Sequence, residues 1–244
     1  MTPEAGVIVV GAGPAGAVAA RALALAGVPV TLLDRHAFPR NKPCGGGISI
    51  RVLRRFPWLE RELGAIGTHR IARLYLEGPD GDSTTITSDE PAVLMIRRIE
   101  FDQLLVDLAV RAGARLVTGV DIVRASEDAE GVHLESRDGR GFRSPAVIAA
   151  DGVHSIVARR LGLNPGWPRG HVAIDMMEET PIERLSADPS MLWVAYGYRP
   201  RVSAQPPADE GRRAPEGYAY IFPKREHVNV GIGYVLDHFK QDVT

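Results

Sequence analysis

The stretch that decides the fold is residues 6–34, GVIVVGAGPAGAVAARALALAGVPVTLLD. Its first part, Val7–Val10, is a short, wholly apolar and β-branched run, which is typical of a parallel strand buried on both faces. A helix rich in Ala and Leu is predicted to follow and to reach about Ala26, and a second buried strand is predicted for Val28–Leu33. The order strand, helix, strand favours an α/β fold with a parallel sheet.

Three glycines of this stretch, Gly11, Gly13 and Gly16, have the spacing G-x-G-x-x-G. Each has a steric role: one allows a tight turn, one lets the backbone approach a pyrophosphate, and one allows the helix to pack closely on the strand. The helix N-terminus offers unpaired N–H groups and a positive dipole end to that pyrophosphate. Asp34, at the end of the second strand, is placed to accept a hydrogen bond from a ribose hydroxyl. The pattern therefore predicts a dinucleotide site.

This stretch has two other interpretations. The glycines could form a turn in an α/β domain that binds no nucleotide, but the flanking strands, helix and terminal acid all match the dinucleotide pattern. Residues 14–33 could also be taken for a membrane span. Arg21 interrupts that stretch and Gly27-Val28-Pro29 breaks it, so a span is rejected.

The composition limits the possible function classes. The chain has 244 residues, enough for one large or two modest domains with a real core, and a formal net charge of -1. Its arginines are scattered and form no basic stripe, so no nucleic-acid partner is expected. The single cysteine, Cys44, excludes an internal disulfide framework and fits a reducing compartment. No secretory signal precedes Val7, so we expect a cytoplasmic protein, with peripheral membrane contact left open.

A loop is predicted for Arg35–Ile50, which contains two prolines and the consecutive glycines Gly45, Gly46 and Gly47. Three glycines in a row cost chain entropy, and a backbone that must lie flat against a planar ring would justify that cost. A flexible connector is the alternative. Neither His nor a second Cys lies at ligand spacing from Cys44, so no metal site is predicted.

Further elements follow from periodicity and turn residues. A helix that Pro57 must interrupt is predicted for Arg51–Leu63, and a second helix for about Glu100–Ala112, with its apolar side chains on one stripe. Strands are predicted for Ile71–Leu76, Thr84–Thr87, Val93–Ile96, Leu116–Val117, a three-stranded meander from Ile122 to Ser144, Val147–Ala150, Val172–Met177, Met191–Tyr198, Tyr218–Phe222 and Val228–Val235. Asp80, Asp82 and Thr84 imitate the start of a calcium loop, but Thr85 and Pro91 stand at its glycine and glutamate positions, so a hairpin turn is favoured.

These elements give two predicted domains. Residues 1–70 and 97–165 would form a discontinuous Rossmann-like domain with a parallel sheet and a β-meander. Residues 71–96 and 166–244 would form a mainly antiparallel α+β substrate (cap) domain, apparently truncated at the C-terminus. Val202–Gly217, rich in Pro, Ala, Arg and acidic residues, is predicted to be a mobile loop.

Several motifs together carry a family resemblance. The first set comprises Gly11 to Gly16 with Asp34, Arg98 before Phe101-Asp102, and Ala150-Asp151-Gly152 with Ser155 and Arg159. It resembles the para-hydroxybenzoate hydroxylase-type flavoprotein superfamily. Within it, Lys42-Pro-Cys-Gly-Gly-Gly47 and Pro215-Glu-Gly-Tyr-Ala-Tyr-Ile-Phe-Pro223 resemble the FAD-dependent geranylgeranyl reductase family. That family's second motif is P-x-x-Y-x-W-x-F-P, and here Tyr220 stands where tryptophan is usual.

The resemblance implies FAD as cofactor. The cofactor-binding residues it implies are Gly11, Gly13, Pro14, Ala15, Gly16, Asp34, Arg35, Lys42, Cys44, Gly45, Gly46, Gly47, Arg98, Asp151, Gly152 and Ser155. For two of them a purely structural role stays open: Arg98 could be a salt-bridging arginine before a helix, and the Asp151 carboxylate could cap a helix. Only one dinucleotide fingerprint occurs, so NAD(P)H would bind transiently or another donor would serve.

The resemblance also implies reduction of carbon-carbon double bonds in a polyprenyl group. The catalytic candidates are Cys44, Gly45 and Gly46, which would lie near the flavin ring; Cys44 either donates a proton or is simply a small side chain beside the ring. The substrate-binding candidates are Tyr218, Tyr220, Phe222 and Pro223. Their aromatic members alternate along a strand and so share a face, which suits an isoprenoid chain or ordinary core packing.

The competing activities on this scaffold are an aromatic monooxygenase and a halogenase. The halogenase signature G-W-x-W-x-I-P is not met at Gly217–Pro223. A catalytically incomplete fragment is the third possibility, because members of the superfamily continue into a further Gly-Asp motif, a strand and a helix. If that segment is missing, we expect an exposed sheet edge or apolar patch where it would pack.

Overall fold

The computed structural model describes residues 6–197 and 217–236. The chain divides into two compact units, Met1–Asn41 with Ile99–Trp167 and Lys42–Arg98 with Pro168–Thr244. The predicted mobile loop at 202–217 and the predicted strand end at Tyr198 lie outside the described residues, apart from Gly217. In the described part of the chain, no helix is long and apolar enough to cross a membrane.

Strands outnumber helices in the described part of both units. In chain order they are β1 (Val7–Val10), α1 (Pro14–Leu25), β2 (Val30–Asp34), β3 (Gly47–Ser49), α2 (Ile50–Arg55), α3 (Pro57–Glu62), β4 (Thr68–Ile71), β5 (Arg73–Glu77), β6 (Ser83–Thr87), β7 (Val93–Ile96), α4 (Arg98–Arg111), β8 (Arg115–Thr118), β9 (Ile122–Asp128), β10 (Gly131–Ser136), β11 (Gly141–Ser144), β12 (Ala146–Ala149), α5 (Ile156–Arg160), β13 (Ala173–Pro181), β14 (Met191–Tyr196), β15 (Gly217–Pro223) and β16 (His227–Val235).

The first unit contains a four-stranded parallel sheet in the order β12-β1-β2-β8. Val9 pairs with Leu32 on one side and with Ile148 on the other. Residues of β1 and β2 are almost wholly buried, as expected for parallel strands covered on both faces. The predicted strand, helix and strand of the opening stretch are confirmed.

The meander β11-β10-β9 completes the first unit. Its inward side chains Ile122, Val132 and Leu134 share one apolar cluster with Ile8 and Val157. The parallel sheet, the meander and α5 therefore have a common core, and the predicted three-stranded meander is confirmed.

The second unit contains a six-stranded sheet in the order β13-β16-β15-β14-β5-β6. All its pairs are antiparallel except β14 with β5, which run parallel. The predicted hairpin of β5 and β6 is confirmed. At one edge, Ile174 and Met176 of β13 are 48% and 63% exposed, on the same face as the exposed Val230 of β16. These side chains form an exposed apolar patch near the sheet edge.

A smaller antiparallel sheet, β3-β7-β4, corrects two predictions of secondary structure. Gly47–Ser49 pairs with β7 although it lies in the predicted loop, because ladder hydrogen bonds use the backbone and need no side chain. The predicted strand at Ile71–Leu76 is two strands, β4 and β5, that belong to different sheets. Residues 42–70 belong to the second compact unit, whereas the sequence boundaries assigned them to the nucleotide-binding domain.

Candidate functional site: a dinucleotide turn and a glycine loop

The turn between β1 and α1 requires glycine at two positions. Gly11 has a φ of +97°, which L side chains rarely adopt. A Cβ on Gly16 would lie 1.8 Å from the carbonyl oxygen of Gly11, so no side chain fits there. At Gly13, by contrast, the first atom a Cβ would meet is the guanidinium of Arg40, 3.6 Å away. The backbone at Gly13 is therefore open to the approach of a ligand.

Gly13 is also the N-cap of α1, and its position lacks a capping side chain. Pro14 and Ala15 form the first helical turn, with proline at the first position, where its missing N–H costs nothing. α1 has twelve residues and no acidic side chain in its first turn. Its N-terminus therefore retains the partial positive charge that attracts a phosphate.

The carboxylate of Asp34 fixes the same turn. Its Oδ2 accepts from the N–H of Ala12 and its Oδ1 accepts from the N–H of His36, both at 2.8 Å. Asp34 is 7% exposed, and each oxygen has a second lone pair for a further donor. The neighbouring Arg35 donates to the ring of His36. Asp34 thus holds the glycine turn in place whatever its role towards a ribose.

Sequence reasoning missed a buried ion pair beside this turn. An Nη2 atom of Arg40 lies 3.1 Å from Oδ2 of Asp102, whose side chain is wholly buried in α4. The Arg40 side chain is 13% exposed, and its Nε has no acceptor among the described residues. The one feature of the sequence that could have indicated the ion pair is Asp102, a carboxylate on the otherwise apolar stripe of α4. The pair brings a cation with spare donor capacity next to Gly13.

Asp151 and Ser155 cap α5. The Asp151 carboxylate accepts from the N–H of Ile156 at 2.7 Å and of Val157 at 3.2 Å, and also from the Ser155 hydroxyl. The Ser155 Oγ accepts in turn from Ala158 at 2.9 Å. The helix-capping alternative for Asp151 is therefore confirmed. Its role towards a cofactor, with that of Gly152 and of Arg98, stays a prediction.

In the second unit, side chains of the large sheet and of its β15–β16 turn hold the loop that carries Cys44. The Cys44 carbonyl accepts from Nδ2 of Asn229 at 2.8 Å, and the Gly45 carbonyl accepts from Nζ of Lys224 at 3.1 Å. The N–H of Cys44 lies 3.1 Å from the sulfur of Met177. Lys42, at the start of the same loop, is exposed and donates to the carbonyl of the residue that follows it.

Two positions of the same loop, Gly45 and Gly46, require glycine. A Cβ on Gly45 would lie 2.6 Å from the ring of Phe222. Gly46 is left-handed, with a φ of +74°, and a Cβ there would meet the carbonyl oxygen of Ile96. The Gly46 carbonyl accepts from the N–H of Ile96 at 2.9 Å. Close approach to a strand and to an aromatic ring, rather than flexibility, explains these glycines.

A row of four aromatic rings runs from this loop along β15 and ends on the neighbouring strand β14. Ring centroids are 4.4 Å apart for Phe222 and Tyr220, 5.8 Å for Tyr220 and Tyr218, and 5.9 Å for Tyr218 and Tyr196. Tyr220 is 2% exposed, whereas Tyr218 and Tyr196 are 41% and 49% exposed. The prediction that the alternating aromatics share a face is confirmed, and the row runs from Phe222, which contacts Gly45, to the exposed Tyr196.

One hydroxyl of this row donates to a carboxylate on β13. The Tyr220 hydroxyl donates to Oδ2 of Asp175 at 3.0 Å. Burial, followed by the hydrogen bond and the charge of Asp175, raises the pKa of Tyr220. Its ring also fills the space above Gly231, where a Cβ would meet the Tyr220 ring. Tyr220 therefore stays protonated in the physiological range and has one defined orientation.

Residues 4–227 match the family model described as FAD binding domain. The chain belongs to the FAD binding domain family. Among relatives with assigned names, digeranylgeranylglycerophospholipid reductase 1 of Methanopyrus kandleri is 36% identical over 236 residues, which cover 94% of this chain and 58% of the relative. Menaquinone reductase of Mycobacterium tuberculosis is 31% identical over 239 residues, 94% of this chain and 55% of the relative.

A solved structure of this FAD binding fold confirms the architecture. The geranylgeranyl bacteriochlorophyll reductase-like protein of Thermoplasma acidophilum aligns with a TM-score of 0.78 and 23% identity, over 98% of this chain and 58% of that one. The resemblance to geranylgeranyl reductases and the mixed α/β fold class are thus confirmed. This FAD binding domain chain spans somewhat over half the length of the curated relatives it matches.

Proposed function

We propose that the protein is an FAD-dependent oxidoreductase that reduces carbon-carbon double bonds of a polyprenyl group. The observation that carries the proposal is the aromatic row of the second unit, which starts against the glycine loop at Phe222 and reaches the surface at Tyr196. Such a row offers aromatic surface on which isoprene units could pack. The second support is the likeness to relatives named as reductases of geranylgeranyl compounds.

The first unit has the features needed to hold the adenosine diphosphate part of FAD. The open backbone at Gly13 and the N-terminus of α1 would receive the pyrophosphate. The unsatisfied Nε of Arg40 supplies a donor beside that turn. Asp34 has lone pairs left for a ribose hydroxyl, and Gly11 and Gly16 allow the turn itself.

The second unit would supply the surroundings of the reaction. Bound flavin provides the hydride; an unactivated alkene forms no oxyanion, so the protein's share is to position the alkene and exclude water. Tyr218 and Phe222 would line the polyprenyl chain, with the buried Tyr220 and Pro223 packed beside them, and the backbone of Gly45 and Gly46 would lie near the flavin ring. The thiol of Cys44 would lie beside it and is our candidate for the proton donor.

The proposal also covers the electron donor and the partners of the protein. NAD(P)H would act as a transient reductant. A lipid or isoprenoid substrate gives a cytoplasmic protein reason to contact a membrane surface, and the exposed Ile174 and Met176 are apolar enough for such a contact. We propose no nucleic-acid partner and no metal.

The test is a product assay. The FAD-loaded protein is incubated under nitrogen with dithionite and a geranylgeranyl lipid, and the products are analysed by mass spectrometry. Reduction adds two hydrogen atoms for each double bond, which the mass of the product reports. Products that instead appear only with oxygen and an aromatic compound would favour the monooxygenase alternative, and an unchanged lipid would contradict the proposal.

A further inference from the structure

Lys224 is a lysine buried almost completely from solvent. It follows β15 in the turn before β16, and it is 1% exposed. In the described part of the chain, the Gly45 carbonyl is the acceptor that its Nζ contacts, at 3.1 Å. A buried ammonium group is costly unless it is well paired, so its presence here calls for a reason.

The pKa of Lys224 shows that its burial disfavours the charged ammonium form. Burial lowers the pKa of Lys224 to about 8. The charges of Glu179 on β13 and of Cys44 oppose this lowering, and the charge of Arg97, which follows β7, adds to it. Glu179 is itself engaged with Arg97 at 2.6 Å, so it compensates the ammonium only in part. For stability alone, an apolar side chain of the same length would serve better.

Lys224 donates one of three hydrogen bonds that hold three consecutive backbone carbonyls. The carbonyls of Cys44, Gly45 and Gly46 accept in turn from Asn229, from Lys224 and from the backbone of Ile96. Three consecutive peptide groups are thus turned towards the strands of the second unit. Because glycine has no side chain to restrict it, polar anchors are what give this loop a single conformation.

We propose that Lys224, with Asn229, is a positioning residue that fixes the backbone of Cys44–Gly46 for catalysis. The link to catalysis rests on the proposed function, while the holding of the loop can be tested without cofactor. Neither residue is placed against substrate; both act through the peptide groups they bind.

The experiment compares Lys224→Met and Asn229→Leu with Arg225→Met, which removes an exposed neighbouring cation from the same turn. The first readout is alkylation of Cys44 by iodoacetamide at about pH 7.5 in the FAD-free protein. Loss of one anchor should release the loop and speed alkylation about fivefold or more, with Arg225→Met unchanged. Asn229→Leu keeps the test valid if Lys224→Met fails to fold.

The second readout separates positioning from general stability. The protein used carries Cys44→Ser, so that no thiol contributes to the titration. The reporter is the amide nitrogen of Gly46, which belongs to the same peptide group as the Gly45 carbonyl that Lys224 binds. Its NMR shift should titrate near pH 8 when Lys224 is present and should not titrate in the Lys224→Met version. Gly46 signals that are identical with and without Lys224 at every pH, or unchanged alkylation in both loop variants, would overturn the inference.

The two proposals fail in different ways. If the loop variants loosen Cys44 and yet the wild-type protein reduces no polyprenyl substrate, the proposed function fails and only the holding of the loop survives. If the wild type is active and the variants lower kcat with little change in KM, the positioning role in catalysis is supported. Full kcat in both variants would contradict that role.

Discussion

Replacing Lys224 with methionine should remove a pH-dependent loss of stability from the second unit. The folded pKa of Lys224 is about 8, below its ordinary value of 10.5. Between these values the unfolded chain binds more protons than the folded one, so the free energy of unfolding rises with pH. The penalty is fully present below about pH 8 and is relieved as the pH approaches 10.5. From about pH 7.5 to about pH 9.5 the wild type should gain about 2 kcal/mol relative to Lys224→Met.

The assay is urea unfolding followed by tryptophan fluorescence at half-unit steps over the same pH range. Trp193, which stacks on Tyr75 in the large sheet of the second unit, reports on the relevant region. Arg225→Met is the control and should follow the wild-type curve, because that side chain is exposed. A difference between wild type and Lys224→Met that stays constant within about 0.5 kcal/mol over this range would refute the reasoning.

Three further predictions concern the first unit. Gly16→Ala should abolish FAD retention after desalting, because its Cβ would overlap the carbonyl of the turn, whereas Gly64→Ala, which meets no atom within 4 Å, should retain FAD like the wild type. Asp34→Asn leaves one acceptor oxygen for two backbone donors, so titration should show FAD affinity about tenfold weaker; unchanged affinity would contradict this. Asp102→Asn breaks a buried ion pair and should lower the free energy of unfolding by about 3 kcal/mol in urea, against less than about 0.5 kcal/mol for the exposed Asp107→Asn; equal effects would contradict the pairing.

Local patterns predicted the local structure well. The apolar run Val7–Val10, the glycine spacing and the break at Pro57 depend on neighbours within a few residues, and each appears where the sequence predicts it. The alternation of Tyr218 and Tyr220 likewise placed both rings on one face, because side chains of a strand alternate.

Long-range pairing could not be predicted in this way. Lys224 and Gly45 are 179 positions apart, and Asn229 and Cys44 are 185 positions apart. In the sequence, Lys224 stands in a charged turn, where a lysine is normally solvated. Only the fold brings the turn over the glycine loop, so the burial of this lysine had no local signal.

Which strands pair in the same sheet also could not be predicted from local sequence patterns. The parallel pairing of β14 with β5 joins segments that lie far apart in the chain, and Gly47–Ser49 joins a strand through backbone groups alone. The ion pair of Arg40 with Asp102 has the same origin, because a loop arginine meets a helix that follows it much later in the chain. Each of these contacts depends on topology, which amphipathic periodicity does not encode.

The most direct test of the central claim is a single-turnover experiment on the reduced flavin. The FAD-loaded protein is reduced under nitrogen, mixed with a geranylgeranyl compound, and followed by its visible absorption spectrum. Return of the oxidised flavin bands, at a rate that depends on the polyprenyl concentration, is the result that reduction of a double bond predicts. A flavin that stays reduced with every polyprenyl compound, and is reoxidised productively only by oxygen with an aromatic substrate, would contradict the account.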